Sequence, residues 1–97
     1  MNKYTEYDLA NSIAQMKIGL FGVLDSFVSS HRTNINLSPH ISIQLLIDCA
    51  NCTGWVIDED KRVNDSVCLI MSNKGVSIKV SKDSYGSPIK ILKYEKD

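Results

Sequence analysis

The sequence predicts an α+β fold of one domain, residues 1–97: two N-terminal helices packed on one face of a C-terminal three-stranded antiparallel meander, an ααβββ two-layer sandwich. Three observations carry this. Apolar residues recur at three- and four-residue steps up to about residue 52, the period changes to two after Ser66, and Gly- and Asn-containing turns separate the later runs. Ninety-seven residues make about one domain, large enough for a single core without staples.

Helix one is predicted over about 6–31. Thr5 with Asp8 three residues on reads as a capping box, the acid gaining from the helix dipole. Leu9, Ile13, Met16, Leu20, Leu24 and Phe27 form one stripe, and Ala10, Ala14, Phe21 and Val28 a second beside it. Such a helix is about 39 Å long at about 1.5 Å per residue. A compact domain of this size is only about 32 Å across. The helix therefore either bends at Gly19 or Gly22 or projects and buries its far end against another subunit. Gly19, Phe21, Gly22 and Val28 are the residues expected at an oligomer interface, a homodimer through the first helix.

Residues 31–37 read as a polar loop. Helix two is predicted over about 39–52, with Ser38 as N-cap, Pro39 in the first turn and Gly54 just past the end. Ile41, Leu45, Cys49 and Cys52 share a face, which directs both cysteines toward the core or its rim. Trp55 opens a short extended piece, and residues 58–65, rich in charge, are expected to be a solvated loop. Strands follow over about 67–72, 76–82 and 88–94. Asn73-Lys74-Gly75 is the first connection, and Asp83 to Gly86 the second. Val76, Ile78 and Val80 alternate with Ser77, Lys79 and Ser81, so one sheet face is predicted to be wet and the other covered by the helices.

Eleven basic and eleven acidic residues cancel, which weakens the case for a dedicated nucleic-acid or membrane binder. The balance is uneven along the chain. Five lysines stand against the single acid Asp83 between Lys74 and Lys93. No secretory leader is evident at the N-terminus, and no apolar run reaches about 18 residues, so a cytoplasmic location is expected and no membrane partner. Three cysteines fit reduced thiols rather than a disulfide framework.

No chemistry-bearing signature emerges. Cys49, Cys52, Cys68 and His40 total the ligands of a Cys₃His zinc site, but the Cys-x-x-Cys pair ends an amphipathic helix rather than standing on a knuckle, and His40 lies roughly 18 Å of helical rise from Cys52. Redox use of the pair is disfavoured because the dipole at a helix C-terminus opposes thiolate. His31 and His40 lie near serines without a nucleophile elbow, and Asp58, Glu59 and Asp60 are sequence neighbours that do not converge as an acid and base must. Gly19 and Gly22 lack the context of a phosphate loop. No catalytic residues, no metal and no cofactor are assigned, and no small-molecule substrate is evident. A winged-helix comparison fails because helix two has no arginine or lysine to read a groove.

The expected function is a small non-enzymatic protein-binding regulator or inhibitor. Small size and richness in Asn, Ile, Lys and Ser point to antidefence or other mobile-element-encoded proteins. Its partner-binding residues are Lys74, Lys79, Lys82, Tyr85, Lys90 and Lys93. The alternative is a nucleic-acid-associated regulator using the same lysine face, and a small zinc or thiol redox protein ranks third.

Overall fold

The computed structural model describes residues 6–84 and 86–95, with side-chain environments from residue 14 onward. Thr5, and with it the predicted capping box, lies outside the described residues, as does Tyr85. Two helices and five strands follow in the order α1 (Glu6–Ser29), β1 (Asn34–Asn36), α2 (Ile43–Cys52), β2 (Val56–Val63), β3 (Ser66–Asn73), β4 (Val76–Lys82) and β5 (Lys90–Tyr94). The α+β class stands, but the sheet has five strands rather than three. All neighbours are antiparallel, in the order β1-β5-β4-β3-β2.

β1 comes from a segment expected to be a loop, and β2 joins the end of the expected extended piece to most of the expected loop after it. Residues 58–65 are not a solvated loop, since β2 pairs with β3 along its length, from Val56 opposite Ser72 to Val63 opposite Ser66. A bulge between Ile57 and Glu59 shifts the register there, which breaks the alternation a reader would look for. Asn64 turns the chain with φ 55, a left-handed conformation that Asn tolerates. Residues 31–37 contain β1, whose Ile35 lies opposite Ile91. Flanking bonds from Leu37 N–H to the Ile89 carbonyl and from Lys93 N–H to the Thr33 carbonyl, both 2.8 Å, extend that seam.

Helix two starts four residues later than predicted. Ser42, not Ser38, is its N-cap, accepting from Leu45 N–H at 3.1 Å in an extended backbone. Ser38 and Pro39 belong to a preceding turn closed by Ile41 N–H to the Ser38 carbonyl at 3.1 Å. At the far end Gly54 has φ 90, and Trp55 N–H donates to the Ala50 carbonyl at 3.0 Å, a Schellman closure. Both Ala50 and Trp55 join the core, and Cys49 is buried with them, whereas Cys52 is exposed and not directed inward.

The core lies between the helices and one sheet face. Leu20, Leu24 and Phe27 of α1 and Leu46, Cys49 and Ala50 of α2 cover Leu69 and Met71 of β3, Ile78 and Val80 of β4, and Ile89 and Ile91. Each large side chain so buried contributes roughly 1.5–3 kcal/mol. The first helix ends at Ser29, where His31 adopts φ 54 and Arg32 latches the last turn. Its N–H donates to the Ser26 carbonyl at 3.1 Å and its Nε to Ser26 Oγ at 2.8 Å.

Of the two fates expected for the long helix, projection is the one observed. α1 is helical without interruption through Gly19 and Gly22. Residues 14–19 are all exposed, and burial begins abruptly at Leu20. The molecule accordingly measures 56 Å by 32 Å by 18 Å. Its radius of gyration of 14.3 Å exceeds the roughly 12.5 Å of a compact chain this long. Among the described residues, no helix is long and apolar enough to cross a membrane.

Candidate functional site

Strand alternation sends every second residue of the sheet away from the helices. The pairing registers align these outward residues into rows across the sheet. One row runs Asn34, Leu92, Lys79, Ile70, Glu59, and the next runs Asn36, Lys90, Ser81, Cys68, Lys61. Tyr94, Ser77, Ser72 and Val56 form a third. Among the described residues, no helix covers this face.

Its chemistry is mixed. Lys61, Lys79 and Lys90 stand against Glu59 as the only acid in these rows. Asp60 points to the other side by register and forms an exposed ion pair with Arg62 at 3.0 Å. That pair is worth little in water. Apolar groups are interleaved with the lysines. Leu92 is 48% exposed, Tyr94 38% and Val56 61%, and Val63 is open at the same face's end. Serine and asparagine fill most of the remaining positions, and Ile70 and Cys68 the other two. Lysines around exposed apolar and aromatic groups, with small hydrogen-bonding side chains between, can bind an extended acidic surface. They do not converge on a point where a reacting atom would be held.

The predicted lysine set divides. Lys79 and Lys90 share the open face. Lys93 lies opposite Ile78 and Lys82 opposite Val67, which places both toward the helix side, at different ends of the sheet. Lys82 is engaged there, its Nζ donating to the Ser87 carbonyl at 2.7 Å. Lys74 occupies the β3–β4 turn with φ 51, followed by Gly75 at φ 79, the paired left-handed geometry of a type I′ hairpin. Tyr85 lies outside the described residues. Lys61 was missed because its segment reads as a loop; the two-residue Asn64-Asp65 connection before an apolar strand is the signal that marks the hairpin.

Phe21 and Val28 pack against the chain's own core and line a cleft of about 190 Å³ beside Trp55 and Lys74. Gly19 and Gly22 are exposed, and a Cβ on either would meet nothing within 4 Å. The four residues expected at an oligomer interface therefore split between the core's margin and open solvent.

The cysteines and His40 do not assemble. Cys49 is buried beneath the helices, Cys68 lies in the outward row across the sheet, and His40 and Cys52 are exposed at opposite ends of α2. Among the described residues, no group of three or more His, Cys, Asp or Glu is placed to hold a metal ion. Burial pushes the Cys49 thiol above its ordinary value, only partly opposed by the charge of Lys17.

An open-faced, two-layer α+β domain is the class these features define. Compared with known proteins, the chain finds no match: no family profile, no curated protein and no solved structure is significantly similar to it.

Proposed function

We propose that this protein is a small non-enzymatic regulator or inhibitor that binds a protein partner through the uncovered sheet face. One observation carries the reading: a five-stranded face bears Lys61, Lys79 and Lys90 against Glu59, around exposed Leu92 and Tyr94, with no element among the described residues over it. Apolar and aromatic groups bordered by charge are the make-up of protein interfaces. The excess of lysine selects a partner with an acidic surface and speeds its encounter at low salt.

Capture from host lysate with immobilised protein tests this. The wild type retains a stoichiometric acidic protein, and Lys79→Glu with Lys90→Glu loses it while keeping the fold by circular dichroism. Equal capture by both proteins refutes the sheet face as the binding surface.

A second reading, nucleic-acid binding, draws on the same three lysines and Tyr94 as an aromatic platform. It requires an affinity for single-stranded DNA or RNA that falls steeply with salt and falls further on charge reversal. An antidefence or other mobile-element role is one form of the protein-binding reading, and genomic neighbours from a phage or a defence operon test it.

A further inference from the structure

The cleft beside Trp55 combines an apolar lining with two opposite charges. It holds about 190 Å³ between the C-terminal half of α1, the end of α2 and the β3–β4 turn. Phe21, Asp25 and Val28 line it from α1, and steps of four and three residues keep them on one side of that helix. Lys74 faces the same space from the turn. Asp25 and Lys74 do not pair with each other, since Arg62 with Asp60 is the one ion pair among the described residues.

Other polar groups of the cleft keep bonding capacity in hand. Trp55 is only 3% exposed, yet among the described residues its indole N–H meets no acceptor and is not sealed from solvent. A buried indole N–H ordinarily has such a partner, and the cleft is where one can reach it. Asn73 Nδ2 donates to the Thr53 carbonyl at 3.3 Å, which leaves Oδ1 to accept. Asp25 Oδ2 accepts from Ser29 Oγ at 3.0 Å, which leaves its second oxygen.

These groups define a ligand. An anion gains from Lys74 and Trp55 but meets Asp25, and a cation gains from Asp25 but meets Lys74. A molecule with both charges satisfies both sides, and an apolar arm on it covers Phe21 and Val28. A free α-amino acid carries that pattern on a single carbon, whereas a residue within a peptide has lost both charges. Size agrees. A cavity of about 150 Å³ takes benzene, while drug-sized ligands need about 300 Å³ or more.

We propose that this cleft binds a free α-amino acid with an apolar side chain. Lys74 and the Trp55 indole N–H take the carboxylate, Asp25 and Asn73 Oδ1 the ammonium, and Phe21 and Val28 the side chain. A ligand this small binds in the micromolar to millimolar range. Bound there, it ties α1 to the β3–β4 turn and raises the thermal midpoint. The site shares no residue with the open sheet face and stands or falls apart from that reading.

Trp55 is the only tryptophan of the chain, so its fluorescence reports on the cleft. Wild-type protein is titrated with L-leucine, L-isoleucine and L-phenylalanine to about 10 mM, with calorimetry alongside. At least one gives a saturable change in emission. For the tightest, the acid lacking the amino group and the methyl ester lacking the charged carboxylate bind roughly tenfold more weakly or worse. Asp25→Asn and Lys74→Asn each weaken binding by a similar factor and keep the circular dichroism, asparagine being suited to the left-handed backbone at position 74. Lys79→Glu with Lys90→Glu leaves binding as in the wild type. Unchanged emission and no binding heat with all three amino acids overturn the proposal, as does binding indifferent to loss of the amino group or to both cleft substitutions.

Discussion

Lys79 stands directly opposite Ile70 on the face that neither described helix covers, and Ile70 is nevertheless only 6% exposed. Its neighbour on the other side is Glu59. The register thus sets a long side chain on either side of an isoleucine, where an aliphatic stem can cover it while the charged end stays in water. Lys79 therefore has two separable roles, cover and charge. Lys79→Ala is expected to cost about 0.5–1 kcal/mol in urea unfolding. Lys79→Met, which keeps the stem, stays within about 0.5 kcal/mol of wild type while losing affinity for an acidic partner.

Glycine replacements are expected to divide in sign. Gly54→Ala forces a side chain into φ 90 at the end of α2, where Asn73 at 3.5 Å is ordinary contact and the strain is in the backbone. It should cost roughly 1–2 kcal/mol. Gly22→Ala adds a methyl group at an exposed helical position with open space around it. It should stabilise by about 0.5–1 kcal/mol. Thermal midpoints then move in opposite directions by about 4–8 °C per kcal/mol.

Capping assigns a second contrast. Ser42→Ala removes the acceptor for Leu45 N–H and should cost about 1 kcal/mol. Ser38 Oγ accepts only a 3.3 Å bond from His40 N–H in an exposed turn, so Ser38→Ala should cost less than about 0.5 kcal/mol. Equal losses in chemical denaturation would place the helix start where Pro39 is.

Alkaline pH should reveal Cys49. Its thiol is raised above the ordinary 9.0 in the folded chain, chiefly by burial. The folded state therefore holds its proton where the unfolded state releases it. This contribution is intact below the unfolded value and is lost as pH climbs from there through the folded value. Urea midpoints of the wild type should decline more steeply above pH 9 than those of Cys49→Ala. At neutral pH exposed Cys52 should react with a thiol reagent well before Cys49.

The parts of the fold legible in the sequence are those with one wet and one dry side. Val76, Ile78 and Val80 alternate because β4 sits mid-sheet beneath the helices, and the stripe of α1 reads clearly for the same reason. β2 offers no such contrast. As an edge strand it is exposed on most positions, five consecutive charged residues run from Asp58 to Arg62, and the bulge shifts its period midway. β1 is three residues long and two of them are Asn, so only its long-range pairing with β5 makes it a strand. On the candidate site, Lys79 and Lys90 were within reach of sequence reasoning. Lys93 follows Lys90 by three residues, an odd step that sends it to the opposite face, and Lys61 depends on recognising β2.

The seam between β1 and β5 carries a consequence for synthesis. β2, β3 and β4 follow one another through two-residue turns, so they can pair as soon as they leave the ribosome. β1 emerges before all of them but must wait for β5. Until Tyr94 has been made, the connection between α1 and α2 has nothing to bind, and the flank of β4 that β5 will occupy stays open. A chain halted before residue 90 is thus a half-closed sheet with a sticky border, and the addition of β5 is what seals it.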